Sequence, residues 1–244
     1  MMSLLLFRRL ENWAVLNLSL RQRRRRRTRS ALAARYLSGT GLEIGALHDP
    51  LRVPKGVEVR YVDYMDQIGL RALYPELAWL RTVHVDIMDD GETLNAIGEA
   101  SVDFVIANHV IEHCENPLQT LKVWLGAIRP GGILYLAVPD KLNKFDRHRA
   151  LTPPEHLIAD YLVGPISSRR EHLRDFFGLT TDLSDSEIER YQTSLGDAHP
   201  HYHVWTSGTF RAMLGAAAEQ VGLRFVLEEI LDLDAEFVVI LRKI

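Results

Sequence analysis

The stretch "GLEIGALHDPLRVPKGVEVRYVD", residues 41–63, decides how this chain folds. Its two ends, "GLEIG" and "VEVRYVD", are short runs of apolar and β-branched residues of the length expected for buried strands. Between them Pro50 and Pro54 leave little room for a regular helix, because proline removes a backbone donor and clashes with the preceding turn. Each run stops on a residue suited to a ligand. Gly45 lets the backbone turn without a side chain, and Asp63 lies about 20 residues on, where a carboxylate can accept both hydroxyls of a ribose. The G-x-G-x-x-G loop that seats a pyrophosphate on a helix N-terminus is missing, since Ala46, Leu47, His48, Asp49 and Pro50 follow Gly45. A nucleoside ligand without phosphates is the expectation.

Working outward, β-rich runs alternate with helical ones, the pattern of a parallel α/β sheet. "SALAARYL" reads as a lead-in helix. "RTVHVDI", "VDFVIAN" and "GGILYLAVP" read as strands three to five. "DQIGLRALYPELAWL" is mixed helix and turn, and "NPLQTLKVWLGAIRP" has apolar residues at helical spacing. In the latter, Asn116-Pro117 opens the helix and Pro130-Gly131-Gly132 reads as its stop and turn. Thr152 is a candidate cap for a helix begun by Pro153-Pro154, and Thr206 or Ser207 caps "TSGTFRAMLGAAAEQVG". Two closing runs, "LRFVLEEIL" and "AEFVVILRK", form a strand pair around an acidic turn. The expected fold is therefore α/β: a doubly wound, mostly parallel seven-stranded sheet with an antiparallel last strand and a helical insertion between strands five and six. Ligands of such sheets bind beyond the carboxyl ends of the strands, which selects Gly45, Asp63, Asp86, Asn108, His109, Pro139 and Asp140.

Taken in order, "LEIGALHDPL", "YVD", "HVDIMDD", "VDFVIANHVIEHCENPLQTL" and "IRPGGILYLAVPDK" resemble the class I methyltransferases that use S-adenosylmethionine (SAM), over roughly residues 40–140 plus the final strands. The resemblance implies SAM as cofactor. It implies that Glu43, Gly45 and Ala46 flank its methionine part, that Asp63 binds the ribose, that Asp86 and Ile87 lie beside the adenine, and that Asn108 and His109 close the pocket. Asp89 and Asp90 compete with Asp86 for the adenine edge. One departure stands out: Leu47 and Asp49 occupy the places of the family's second and third motif glycines.

"VIANHVIEHCENP", residues 105–117, also fits the H-x-x-E-H pattern of a zinc-peptidase helix through His109, Glu112 and His113. Such a site needs both histidines on one long helix. Here a strand ends at about Asn108 and Asn116-Pro117 starts the next helix, so the match reads as accidental. Methyl transfer needs alignment more than a metal, and no metal is expected. Should the acceptor be a hydroxyl, a histidine can serve as general base: His109 first by position, His148 and His201 next. The insertion at about 141–203 should choose the substrate. Its His199, His201 and His203 alternate, so in an extended segment they face one side and offer a pocket wall or a zinc site. Arg147, Arg149, Arg169, Arg170 and Arg174 hint at an anionic acceptor.

The 244 residues, 47% hydrophobic and 25% charged, suit one large core. We divide them into an apolar and basic arm over 1–30 and a methyltransferase-like domain over 31–244. The single Cys114 excludes an internal disulfide framework and favours a reducing, cytoplasmic setting. Residues 21–29, "RQRRRRRTR", hold seven arginines, which read as a solvated arm or as a peripheral membrane contact through residues 1–29. Arg8, Arg9, Glu11 and Asn12 interrupt the apolar start, so no span of ~20 apolar residues exists. The expected partner is a small-molecule, glycan or lipid-linked acceptor, with nucleic acid disfavoured. The competing readings are a non-catalytic membrane or nucleic-acid adaptor on the same fold, and a zinc hydrolase using His109, Glu112 and His113.

Overall fold

A computed structural model describes residues 20–75, 79–142, 146–177, 184, 186–187, 189–190, 193 and 200–244. From the first described residue the chain is helical over 20–36 (α1). It continues through β1 (Thr40–Ile44), β2 (Glu58–Asp63), α2 (Gln67–Leu73), β3 (Ile87–Met88), β4 (Val102–Asn108), a 3₁₀ turn (Ile111–His113), α3 (Pro117–Ala127) and β5 (Ile128–Pro139). α4 (Pro154–Val163), α5 (Arg169–Phe176), α6 (Ser207–Ala216), β6 (Phe225–Leu233) and β7 (Glu236–Lys243) follow.

The strands form one seven-stranded sheet in the order β3-β2-β1-β4-β5-β7-β6. The pairs from β3 to β5 are parallel, whereas β7 runs antiparallel to both neighbours, β5 and β6. Alternation along β4 feeds two cores. Val105 and Ala107 pack with Leu118, Leu121, Trp124, Phe210 and Leu214, while Phe104 and Ile106 pack with Leu32, Ala33, Leu37, Tyr135 and Ile240. Burial on both faces explains why central strands read as nearly continuous apolar runs. α1 thus covers one face, running through residue 30, and α3, α4 and α6 cover the other. Among the described residues no helix is long and apolar enough to cross a membrane.

Caps follow the sequence in two places. Asn116 accepts from the Gln119 N–H at the start of α3, and Thr206 forms a reciprocal capping box with Thr209 at the start of α6. Thr152 does not cap α4: the residue before that helix is Pro153, and the Thr152 hydroxyl instead accepts from the Val204 N–H at 2.9 Å. The third strand is also shorter than its alternation suggests. The Thr82 and Val83 carbonyls accept from the Gln67 side chain, both at 3.1 Å, and the Val83 N–H goes to the Leu47 carbonyl, so these groups are diverted from pairing with β2. Pro130-Gly131-Gly132 is not a helix stop but part of β5, where the β4–β5 register shifts. Gly131 has φ +82°, and a Cβ on Gly132 would lie 2.4 Å from the Asp103 carbonyl oxygen, so the glycines permit a bulge.

Candidate active site

The order of strands reverses between β1 and β4, and this switch point is where open α/β sheets receive ligands. A cavity of about 440 Å³ lies there. Gly45 follows β1, Asp63 and Tyr64 close β2, Asp90, Gly91 and Glu92 follow β3, and His109 and Val110 follow β4, all of them lining it. Leu47, Tyr74, His113 and Cys114 contribute to the remaining wall.

Gly45 has φ +62°, the left-handed region that favours glycine, and the turn after it is set by Asp49 donating to the Ala46 carbonyl at 3.0 Å. No helix forms between β1 and β2, as the two prolines foretell. Glu43 does not line the cavity. It is buried behind this turn, accepting the Leu51 N–H through both carboxylate oxygens (2.8 and 3.1 Å) and the Asn108 side-chain amide at 3.1 Å. Glu43 and Asn108 therefore shape the loop from below. Burial pushes the Glu43 carboxyl up to about 7, against the lowering by those hydrogen bonds and by Arg29.

Asp63 faces the cavity with 8% exposure, and one carboxylate oxygen accepts the Tyr64 N–H at 2.9 Å. Burial raises its pKa to about 6. Glu92 is likewise raised to about 7 by burial, with Asp90 adding to the effect. Asp86 is exposed and occupied by the Tyr61 N–H at 2.8 Å. Neither it nor Ile87 nor Ala46 lines the cavity, whose edge after β3 is built by Asp90, Gly91 and Glu92.

His109 is the predicted catalytic candidate that reaches the cavity. Its backbone is in the left-handed region at φ +56°, an unusual state for a non-glycine residue, and its N–H donates to the Ala137 carbonyl at 2.8 Å. Its Nε2 lies 2.6 Å from Glu236 Oε2 and its Nδ1 lies 3.6 Å from Glu112 Oε1. Glu236 is buried at the start of β7 and also faces Arg25 and Arg29 of α1, at 3.6 and 3.9 Å. Burial alone would raise its carboxyl; the hydrogen bond to His109 and the two guanidiniums outweigh it and hold the group below the ordinary range. Sequence reasoning missed Glu236, because its partners are 127 positions away at His109 and farther still on α1.

Of the other candidates, His148 is exposed and accepts from Arg147 Nε, away from the cavity. His201 pairs with Asp146 at 2.7 Å and packs edge-on against His113, so it stands one ring behind the cavity wall. His199 lies outside the described residues. His201 and His203 do not share a site: His203 turns to His156 and His172. The H-x-x-E-H segment is a three-residue 3₁₀ turn, so His109 and His113 do not stand on one helix as a zinc peptidase requires. Arg149 pairs with Asp146 and Asp175, and Arg169 with Glu115, so these two are used inside the fold.

The seven-stranded sheet with a cavity at its switch point is a Rossmann-like α/β arrangement. Residues 38–136 match a family described as methyltransferase domain. Among solved structures it is similar to a SAM-dependent methyltransferase from Aquifex aeolicus (11% identity, TM-score 0.49, covering 88% of this chain and 87% of that one). It is also similar to a SAM-dependent methyltransferase from Thermotoga maritima (14% identity, TM-score 0.47, covering 94% and 96%). Comparison with curated proteins finds no match.

Proposed function

We propose that the cavity holds SAM with its methionine end at Gly45, its ribose on Asp63 and its adenine toward Asp90, Gly91 and Glu92. The acceptor, a small molecule, glycan or lipid-linked precursor, enters on the side of His109 and His113. The observation that supports this reading is the convergence of Gly45, Asp63 and His109 from three strand ends on one cavity. Bound there, SAM would supply an electrophilic methyl group on a sulfonium for transfer to an acceptor lone pair.

The chain's own contribution is alignment, desolvation and, for a hydroxyl acceptor, proton removal. A hydrogen bond from His109 Nε2–H to Glu236 fixes the tautomer that leaves Nδ1 as the acceptor. Glu112 is buried with both carboxylate oxygens lacking a hydrogen-bond partner, and it lies within 3.6 Å of that Nδ1. Once Nδ1 takes the acceptor's proton, two carboxylates stabilise the imidazolium without rearrangement.

Labelled SAM offered with free sugars and phenols, soluble glycans or lipid-linked glycans in micelles identifies the acceptor class. His109→Gln should then slow transfer while SAM still binds; wild-type turnover by this variant would sink the assignment of His109 as base. The same reading places residues 1–29 against an anionic membrane surface in a cytoplasmic setting, supported by the solvent-exposed Arg23, Arg24 and Arg27 of α1. Sedimentation with anionic vesicles at low salt, absent at high salt, is the expected outcome; equal sedimentation with neutral vesicles would refute it.

A further inference from the structure

Outside the cavity, three histidines from three separate segments converge. His156 lies on α4, His172 on α5, and His203 on the stretch leading to α6. His172 and His203 are buried, while the His156 side chain keeps 21% exposure and so leaves an entry path. His156 Nε2 is 2.7 Å from His172 Nε2, and one ligating atom from each ring lies within 4.8 Å of the others. One helical turn beyond His156, Asp160 Oδ2 lies 3.2 Å from the same His156 Nε2. Bonds of ~2.0–2.1 Å to a tetrahedral zinc ion separate ligand atoms by about 3.3 Å, which falls inside this spread.

The hydrogen bond between His156 Nε2 and His172 Nε2 and the ion pair of His156 with Asp160 account for only part of the cluster. Nδ1 of His172, Nδ1 of His203 and Oδ2 of Asp160 are buried without a hydrogen-bond partner, and each such group carries a desolvation cost. His203 Nε2 faces the Glu115 carbonyl at 3.4 Å. If that nitrogen carries the proton, the lone pair of Nδ1 is left for another partner. Outer-shell support is present, because Ser168 Oγ donates to Asp160 Oδ1 at 2.6 Å and Asn116 donates to the Asp160 backbone carbonyl at 3.0 Å.

We propose that His156, Asp160, His172 and His203 form a structural zinc site with four protein ligands. The ion ties α4 and α5 to the segment 200–205. That segment leans on the cavity wall, since the Tyr202 N–H donates to the Glu112 carbonyl at 2.7 Å and His113 Nδ1 donates to the Pro200 carbonyl at 3.1 Å. The metal thereby sets the position of the wall that the acceptor meets. Its effect on that wall rests on the proposed function, whereas zinc binding itself stands apart from the acceptor and from the role of His109.

The test titrates the full chain, stripped with a chelator, with zinc by calorimetry, and repeats the titration with cobalt to read tetrahedral coordination from its visible bands. The expected result is a single equivalent of zinc bound and a raised thermal midpoint. His156→Ala and the isosteric Asp160→Asn should weaken binding by more than the about 10–100-fold typical of outer-shell changes. Glu112→Gln should leave zinc binding intact, because Glu112, His113 and His201 form a separate group of potential ligands. Absence of zinc binding by the full chain, unchanged binding in both ligand variants, or loss of binding in Glu112→Gln would each overturn the proposal.

Discussion

Replacing Asp63 by Asn tests the cofactor geometry at its most sensitive point. Asp63 is nearly buried, its carboxyl is raised to about 6 by burial, and one oxygen is already engaged by Tyr64 N–H. The proposed ribose contact needs the charged form, so protons compete with SAM. Above about pH 7 the carboxylate is formed and affinity is flat; below the pKa each pH unit costs up to about tenfold, or about 1.4 kcal/mol. Between about pH 7.5 and about pH 5 the dissociation constant should therefore rise roughly tenfold. Hydrogen bonds to a charged group are worth about 1.5–3 kcal/mol, so Asp63→Asn should weaken SAM binding by about 10- to 150-fold at neutral pH. It should also remove the component of the pH profile centred near 6. Glu92, raised to about 7 in the same cavity, adds its own component, which Asp63→Asn leaves in place. Isothermal titration of SAM into both proteins across this pH range provides the measurement. Identical profiles, or an affinity loss below about twofold, would refute the reasoning, since a charge-assisted contact cannot be lost so cheaply.

Glu43, raised from 4.5 to about 7, makes wild-type stability fall as pH rises from about 4.5 through about 7, because the folded state holds its proton longer than the unfolded state. Glu43→Gln removes that dependence, and its side chain can still accept the Leu51 N–H while donating to a turned Asn108 amide. In urea unfolding it should gain up to about 3 kcal/mol on wild type at alkaline pH and little near pH 4; a pH-independent difference would count against it. His109→Gln should lower kcat about 10²–10⁴-fold with a hydroxyl acceptor while the SAM dissociation constant moves only a few-fold, as single-turnover and binding assays would show. Glu236→Ala removes the carboxylate 3.9 Å from the buried Arg29 guanidinium and should destabilise the fold by about 3–5 kcal/mol, read as a lower urea midpoint. Gly45→Ala keeps space, its Cβ meeting Val110 at 3.4 Å, but must hold φ +62°; a loss of about 1–2 kcal/mol is expected in the same assay.

What could be read in advance was local. β4 and its neighbour α3 were legible because one apolar run stops at Asn108 and Asn116-Pro117 carries an N-terminal signature. The absence of a helix after β1 followed from Pro50 and Pro54 alone. Where the sequence misled, a distant partner decided. Gln67 takes the carbonyls that would have extended β3, and the Asp103 carbonyl beside Gly132 makes a bulge of what looks like a helix stop. Asp86 has the right residue type in the right interval, yet its carboxylate is committed to Tyr61. Arg25 and Arg29 were hidden in a run of identical side chains, and only the helical period brings them, one turn apart, to Glu236. The grouping of His156, His172 and His203 carries no spacing signature, since three elements of the insertion supply one ring each.

The position of β7 has a consequence for how the protein is made. This strand is made after β6 but lies inside it, between β6 and β5. β6 therefore has no place in the sheet until the chain has looped back and β7 has been laid down. Glu236, the first residue of β7, also brings the anchor for α1 and the partner of His109. On a ribosome, a nascent chain can assemble the strands that carry Gly45 and Asp63 well before Glu236 emerges. On the proposed reading, cofactor affinity should thus appear earlier in biosynthesis than competence to deprotonate an acceptor, and that competence arrives only when the two ends of the described chain meet.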